Sequence, residues 1–234
     1  MTSYTKSHIL ITGASRGIGA AIVEAFNPDI TRICALSSKD GDLSAPQVPA
    51  SLWQQALAQL DGKIDVVINN AGIFESNPLG DTDADWLECW NRTMQINLTA
   101  SADLCRRAVL HWQAAGTGGR IVNIASRAAH RGDSPDHWHY AASKAGMVAM
   151  TKTIARAYAA QQIYAFAVCP GFTMTGMADD YLQSRGGDKI LADIPLGKVA
   201  DPQEVAAIAK FCALDAPPSM TGAVLDINGA SYVR

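Results

Sequence analysis

Tyr140 and Lys144 have the residue types and the spacing for acid–base chemistry. They stand four positions apart in the segment YAASK, so on a helix they share a face, one turn from each other. A free phenol has a pKa near ~10 and exchanges protons poorly at neutral pH. A neighbouring ammonium favours the phenolate, so we expect Lys144 to lower the pKa of Tyr140 and make it a usable general acid and base. The pair alone equally fits two neighbours on a solvated helix face, so its meaning depends on the elements around it.

Those elements alternate along the chain between apolar strands and amphipathic helices. The pattern predicts strands at residues 9–12, 32–36, 64–68, 120–125, 163–169 and 224–227. It predicts helices at 17–26, 52–60, 83–115 with a break near Asn97, 140–160, and 202–214, the last with Asp201 as its N-cap and Pro202 at its first position. We therefore predict one α/β domain over residues 1–234, with a Rossmann-type, doubly wound parallel sheet flanked by helices. Ligands of such sheets bind at the carboxyl ends of the strands.

The first strand-to-helix turn has the composition of a phosphate-binding loop. It reads TGASRGIG at residues 12–19, and its glycines allow a tight turn and close approach of the backbone to a pyrophosphate. The helix that follows offers unpaired N–H groups and partial positive charge. The predicted cofactor-binding residues here are Gly13, Ser15, Arg16, Gly17, Ile18 and Gly19. The alternative is a glycine turn that binds no ligand.

The end of the second strand bears on which nicotinamide cofactor is bound. A ribose 2′-hydroxyl is usually bound by an acidic residue about 20 positions on, whereas a 2′-phosphate needs cations. No acid stands at this strand tip, and phosphate could be held by Arg16, Ser37, Ser38 and Lys39. We therefore favour NADP(H), with NAD(H) possible. Asp40 is the residue that argues against NADP(H). It is either a plain turn acid or an acceptor for the 2′-hydroxyl of NAD(H).

Composition excludes several classes of function. The 234 residues carry a formal net charge of −3 with no basic block, which argues against a nucleic-acid partner. No apolar run approaches the roughly 20 residues of a membrane span, and no signal peptide is apparent. The five cysteines are scattered and form no CxxC pair, as expected of free thiols in a cytoplasmic protein.

Six motifs then occur in one order along the chain: TGASRGIG at 12–19, NNAG at 69–72, Asn97, Ser126, YAASK at 140–144 and PGFTMT at 170–175. In this order the sequence resembles a classical short-chain dehydrogenase/reductase over essentially its whole length. The segment from Met220 to Gly229 is similar to that of 3-oxoacyl-thioester reductases, although much of the family ends this way.

The resemblance implies a role for each motif. Tyr140 would be the acid/base, Lys144 would lower its pKa and bind the nicotinamide ribose, and Ser126 would hold the substrate oxygen. Asn97 would place a water in a proton relay behind Lys144. The remaining cofactor contacts would come from Asn69, Ala71, Gly72, Pro170, Gly171, Thr173 and Thr175. Simpler interpretations exist for these residues: Asn69 and Asn70 as side chains that cap a strand end, Ser126 as a turn serine, and Asn97 as a helix kink bonded to backbone.

The chain departs from the family pattern after the second strand. Only a few residues separate Leu36 from Asp42-Leu43, a pair that resembles the one touching adenine in the family. Pro46 and Pro49 follow, and proline cannot sit in a central ladder. We therefore predict that one helix and its edge strand are lost, which leaves about six strands and an adenine pocket more open on that side.

A second departure is the polar loop between Ser126 and Tyr140, which is one residue longer than in many relatives and contains three histidines. A histidine-rich loop suggests a metal, but Asp136-His137-Trp138-His139 has no i, i+4 histidine pair and no cysteine partner. We therefore predict no metal site and interpret the segment as a plain loop or as lining of the active site.

The leading functional hypothesis is an NADP(H)-dependent carbonyl reductase. Residues 174–195 would cover the substrate, with Gly186-Gly187 as a hinge, and their apolar content suggests a medium-sized carbonyl compound. The resemblance of the closing segment implies a 3-oxoacyl thioester or a similar ketone. The alternatives are an NAD-dependent alcohol or polyol dehydrogenase, and a nucleotide-binding regulator or scaffold without catalysis. Helical residues 85–115 and 140–160 resemble the family's dimerisation faces and imply a homodimer or homotetramer.

Overall fold

A parallel sheet of six strands organises the protein. In the computed structural model, which describes residues 6–174 and 191–234, the strands are β1 (Ser7–Thr12), β2 (Thr31–Leu36), β3 (Val66–Asn69), β4 (Gly119–Ile124), β5 (Ile163–Pro170) and β6 (Val224–Ile227). Their order across the sheet is β2-β1-β3-β4-β5-β6, and every neighbouring pair is parallel. The strand order changes direction between β1 and β3, because the chain adds β2 on one side of β1 and β3 to β6 on the other. Doubly wound folds bind ligands at this point.

Helices cover both faces of this sheet. They are α1 (Gly17–Ala25), α2 (Val48–Gln59), α3 (Asp83–Met94), α4 (Ala100–Ala115), α5 (Ala128–Arg131), α6 (Trp138–Tyr158) and α7 (Pro202–Lys210). Five-residue π-helical turns follow α3 at Gln95–Thr99 and α7 at Phe211–Asp215. One apolar layer packs β1–β5 against α2, α4 and α6, and the other packs them against α1 and α7. No helix within these described ranges is long and apolar enough to cross a membrane.

The predicted loss of an edge strand and helix is confirmed. Residues 37–47 form turns and bends, α2 begins at Val48, and β2 is the outermost strand of the described sheet. The helix predicted to begin at Leu52 starts four residues earlier. Pro49 does not prevent this, because it lies in the first helical turn, where backbone N–H groups have no intrahelical acceptor.

Most other boundaries shift by one or two residues. The predicted break near Asn97 is a π-helical turn, in which the helix axis continues from α3 to α4. The helix predicted at 140–160 begins at Trp138, which puts Tyr140 in its first turn. The helix predicted at 202–214 is regular only to Lys210, and its predicted start is confirmed by a capping box between Asp201 and Glu204.

Candidate active site

The glycine-rich turn follows β1, at the point where the strand order changes direction. Gly13 adopts a left-handed backbone with φ of 67°, which residues with a side chain rarely adopt. Arg16 is the N-cap of α1 and gives it no side-chain cap, so the first backbone N–H groups of this helix remain available to an anion. These features fit a dinucleotide phosphate at this turn. Ser15 and Arg16 are exposed beside it.

Asn70 holds the turn in place, and sequence reasoning did not single it out for this role. Its side-chain amide donates to the carbonyls of Thr12 at 3.2 Å and Gly13 at 2.9 Å. The Thr12 hydroxyl in turn accepts from the backbone N–H groups of Asn70 and Ala71. The tip of β3 is thus tied to the tip of β1. The NNAG motif was the available signal, but the motif alone did not show which asparagine faces the turn.

Asn69 points the other way, into the core. It is fully buried, and its amide donates to Asn123 Oδ1 at 2.8 Å and to Cys105 Sγ at 3.2 Å. Asn123 donates to Thr151 Oγ1 at 2.8 Å, so these side chains connect β3 and β4 to α6. Only the backbone of Asn69 is left to meet a cofactor.

Gly19 is expected to be irreplaceable. A Cβ there would overlap the Gly13 carbonyl oxygen and lie 2.6 Å from the Asn70 amide nitrogen. We expect Gly19→Ala to weaken cofactor binding about tenfold or more and to cost about 1–3 kcal/mol of unfolding free energy. Fluorescence titration and urea unfolding measure the two effects. The matched control is Gly80→Ala, where a Cβ would meet nothing within 4 Å. An unaffected Gly19→Ala would contradict the tight contact between the turn and β3.

The tip of β2 lies across the turn from α1. Ser37, Ser38 and Lys39 follow this strand directly, and Ser38 and Lys39 are exposed. Asp40 folds back, and its carboxylate accepts from the Ser37 N–H at 2.8 Å and the Ser37 hydroxyl at 3.0 Å. These bonds hold the pKa of Asp40 below its usual value. The tip therefore combines hydroxyl and cationic donors with one fixed negative charge.

Asp42 and Leu43 form the wall beyond this tip. Asp42 caps the backbone of Ser44, and the Leu43 carbonyl accepts from the Gln95 amide at 3.3 Å. Gln95 opens the π-helical turn that also contains Asn97. One π-helical turn thus contacts Leu43 on the predicted adenine side through Gln95 and carries the predicted catalytic residue Asn97.

The four predicted catalytic residues converge at the carboxyl ends of β4 and β5. Ser126 follows β4, and its hydroxyl lies within hydrogen-bonding range of the Tyr140 phenol. The Lys144 ammonium lies 5.8 Å from the centre of the Tyr140 ring and donates to the Ile124 carbonyl at 2.9 Å. Asn97 reaches the same cluster: a Cβ placed on Gly72 would lie 3.3 Å from Asn97 Oδ1 and 3.4 Å from Lys144 Nζ.

Asn97 also has a structural role. Its Oδ1 accepts from the Ile73 N–H at 2.8 Å, and its amide donates to the Ile73 carbonyl at 3.0 Å. The same amide lies 3.3 Å from the Ser143 hydroxyl, which donates to the Tyr140 carbonyl at 2.7 Å. The simpler reading of Asn97, a helix irregularity bonded to backbone, therefore describes real contacts, and its amide also supports the first turn of α6.

The predicted direction of the Tyr140 pKa is wrong in this structure. Burial raises the pKa of Tyr140 to about 12, opposed by a hydrogen bond from Ser126. Burial also lowers the pKa of Lys144 to about 8, because a 4 % exposed ammonium has little water around it. Loss of solvation is the largest cause of both shifts, and the sequence spacing contained no measure of burial.

An aromatic stack lies beside the phenol. Phe74 packs edge-on against Tyr140 with ring centres 4.8 Å apart, and it also stacks on His137 at 3.9 Å. His137 belongs to the polar loop, and burial lowers its pKa, so this ring is neutral at neutral pH. One residue of the loop thus reaches the ring beside Tyr140, and the lining role of the loop stays a prediction.

The remaining predicted cofactor contacts follow β5. The Gly171 N–H donates to the Ile227 carbonyl at 2.8 Å, and a Cβ on Gly171 would lie 2.8 Å from Asn228. Thr173 is buried and donates to the Gly171 carbonyl at 3.2 Å. Pro170 ends the strand. Thr175 and positions 175–190 of the predicted substrate loop, including Gly186 and Gly187, lie outside the described residues.

Comparisons with known proteins agree with this arrangement. A family model described as enoyl-(acyl carrier protein) reductase matches residues 35–230. A 3-oxoacyl-[acyl-carrier-protein] reductase from Synechocystis sp. is 32% identical over 251 residues, covering 98% of each chain. An acetoacetyl-CoA reductase from Shinella zoogloeoides is 30% identical, covering 95% of this chain and 97% of that protein.

A solved structure shows the same fold over the full length. It is a short-chain dehydrogenase/reductase, titled glucose/ribitol dehydrogenase, from Brucella melitensis, with 28% identity, complete coverage of both chains and a TM-score of 0.83. The similarity therefore extends over the whole fold. This protein belongs to the short-chain dehydrogenase/reductase family, and it is an oxidoreductase that acts on CH–OH groups with NAD(P).

Proposed function

We propose that the protein is an NADP(H)-dependent reductase that converts a ketone, with a 3-oxoacyl thioester as the leading candidate, to a secondary alcohol. The observation that carries this proposal is the convergence of Ser126, Tyr140 and Lys144 at the carboxyl ends of β4 and β5. With a pKa raised to about 12 by burial, Tyr140 is protonated at neutral pH and can donate to an oxygen that gains negative charge.

The residues act together on that oxygen. A bound nicotinamide would supply the hydride to the carbonyl carbon. Ser126 and Tyr140 hold the carbonyl oxygen by hydrogen bonds, and Tyr140 gives it a proton as the charge develops. Lys144 then lies close enough to stabilise the phenolate that remains.

The thioester class is supported by the relatives and by the rim of the site. Two relatives that match nearly the whole chain are named for thioester or acyl-carrier substrates. Phe74 is 41% exposed and packs against the Tyr140 ring. Trp138 is 55% exposed and lies with Tyr140 in the first turn of α6. An acyl chain would cover this apolar surface.

The second candidate is an NAD-dependent alcohol or polyol dehydrogenase, and Asp40 favours it. Its carboxylate accepts a hydrogen bond from the Ser37 hydroxyl, so this donor is already used. The carboxylate also adds negative charge where a 2′-phosphate would bind. Against this, Arg16 in the glycine-rich turn and Lys39 after β2 are exposed cations. Cationic side chains are the groups that bind a phosphate most strongly, and this supports the choice of NADP(H).

One assay tests substrate and cofactor together. We expect the purified protein to oxidise NADPH with acetoacetyl-CoA at a kcat/KM at least about tenfold above that with NADH, and with little turnover of polyols in either direction. Absorbance of the reduced cofactor reports both. Arg16→Ala should reduce the preference for NADPH, whereas Arg156→Ala, near the end of α6, should not. A tenfold preference for NADH, abolished by Asp40→Asn, would select the second candidate.

We also propose a cytoplasmic homodimer or homotetramer. Leu87 and Leu110 are more than half exposed on α3 and α4, the helices that resemble the dimerisation face. A second copy would cover these side chains. The five cysteines form no disulfide, and this is consistent with a reducing compartment.

A further inference from the structure

A cluster of three metal-ligand side chains lies beside the catalytic cluster but outside it. His130 comes from α5, Cys169 from β5 and Asp226 from β6, so three separate elements deliver one nitrogen, one sulfur and one oxygen. Sequence spacing does not group these residues, because they are about 40 and 57 positions apart. His130 belongs to the histidine-rich loop for which we predict no metal site, and the structure places beside it the cysteine partner that the loop itself lacks.

The distances suit a tetrahedral ion. His130 Nε2 lies 3.8 Å from Cys169 Sγ, and the three ligand atoms all lie within 4.8 Å of one another. With Zn–S near 2.3 Å and Zn–N near 2.0 Å, a tetrahedral zinc places its sulfur and nitrogen ligands roughly 3.6 Å apart. The observed separation therefore needs almost no rearrangement.

Neighbouring groups already hold two of the ligands. The His130 ring is stacked on Tyr232, with centres 5.6 Å apart and planes 4° from parallel. Arg234 fixes Asp226 through bonds of 2.8 and 3.0 Å, both to Oδ2. Such supporting contacts around the ligands are a usual part of metal sites, because they fix the orientation of the rings and carboxylates.

Charge and access also agree with zinc. A thiolate and a carboxylate together neutralise a divalent cation, and the further charges that act on the ligands are those of Arg234, Lys152 and Lys144. Cys169 is fully buried, but Asp226 is exposed and His130 is partly exposed, so an ion can enter from the Asp226 side. The soft sulfur and the imidazole favour zinc over magnesium or calcium.

From this geometry we propose that His130, Cys169 and Asp226 form a zinc-binding site with a fourth position open to water. Binding forms a Zn–S bond and releases the thiol proton to solvent. The site does not depend on the proposed reductase function, so either can fail without the other.

Cobalt(II) titration tests the site, because a cobalt–thiolate bond gives an intense near-ultraviolet absorption band. We expect the metal-stripped, reduced protein to bind one equivalent with this band, and added zinc to remove it. His130→Ala and Cys169→Ser should each weaken binding about a hundredfold or abolish it. His137→Ala and Cys212→Ser, a histidine and a buried cysteine outside the cluster, should bind cobalt as the parent does.

Two results would overturn the assignment. One is the absence of a thiolate band at one equivalent of cobalt in the parent protein. The other is a band that survives in His130→Ala. Because His130 is partly exposed in a short surface helix, this variant is expected to fold, and circular dichroism checks that it does.

Discussion

Tyr140→Phe is expected to lower kcat by about a thousandfold or more and to leave cofactor affinity within about threefold of the parent. The phenylalanine ring keeps the edge-on contact with Phe74, so the substitution removes the hydroxyl and little else. Without that hydroxyl, the oxygen that gains charge has Ser126 as its remaining donor but no proton source. Steady-state kinetics and fluorescence titration of the cofactor measure the two effects separately.

A second tyrosine on the same helix provides the control. Tyr158 ends α6 and packs against the core, so Tyr158→Phe should retain activity. Full activity in Tyr140→Phe would contradict the assigned acid. A parent protein that binds cofactor but turns over none of a broad carbonyl and alcohol panel would instead support the nucleotide-binding scaffold considered from the sequence.

Lys144→Met is expected to abolish most activity and yet stabilise the protein. Burial lowers the pKa of Lys144 to about 8, whereas the unfolded chain has the ordinary lysine value of 10.5. Keeping this ammonium charged in the folded protein at pH 7 therefore costs on the order of 3 kcal/mol. A methionine of similar length removes this free-energy cost. The gain in stability is reduced by the loss of the hydrogen bond from Lys144 to the Ile124 carbonyl.

The stability difference between Lys144→Met and the parent is expected to change with pH. Below about pH 8 both states hold the proton, and the full cost is present. Between about pH 8 and 10.5 the unfolded state binds more protons, so the stability of the parent rises with pH. The advantage of Lys144→Met should therefore be largest at neutral pH and shrink as the pH approaches 10.

Urea unfolding across this pH range measures the difference. Lys152→Met is the matched control, since Lys152 is exposed on the same helix and should show almost no change. A Lys144→Met protein that is less stable than the parent at pH 7, or whose advantage is the same at both ends of the range, would disprove the burial argument. Together, loss of turnover and gain of stability would identify Lys144 as a residue retained for function.

The sheet could be predicted because its signals are local. Apolar runs and the glycine turn mark β1 and α1, and two prolines soon after Leu36 indicate that no strand follows. The start of α2 could not be predicted, since Pro49 is compatible with both a loop and a first helical turn.

The candidate site stays a prediction from the motifs, and the pKa values of its residues could not be predicted from the sequence. The motifs identified Ser126, Tyr140 and Lys144, and the structure brings these side chains together. Their pKa values depend on burial, which a spacing of four residues does not reveal. Likewise, Asn69 and Asn70 are adjacent and identical in type, so only the pleat of β3 decides which one enters the core.

The π-helical turn at Gln95–Thr99 has a consequence for how this chain can change. A π turn contains one more residue than an α-helical turn, so deleting a residue here would return the segment to an ordinary α-helical turn and change where its remaining residues lie around the helix axis. Gln95 would then leave the Leu43 wall, or Asn97 would leave Ile73. Insertions and deletions within this segment should be tolerated far less well than substitutions, even though the helix itself would survive them.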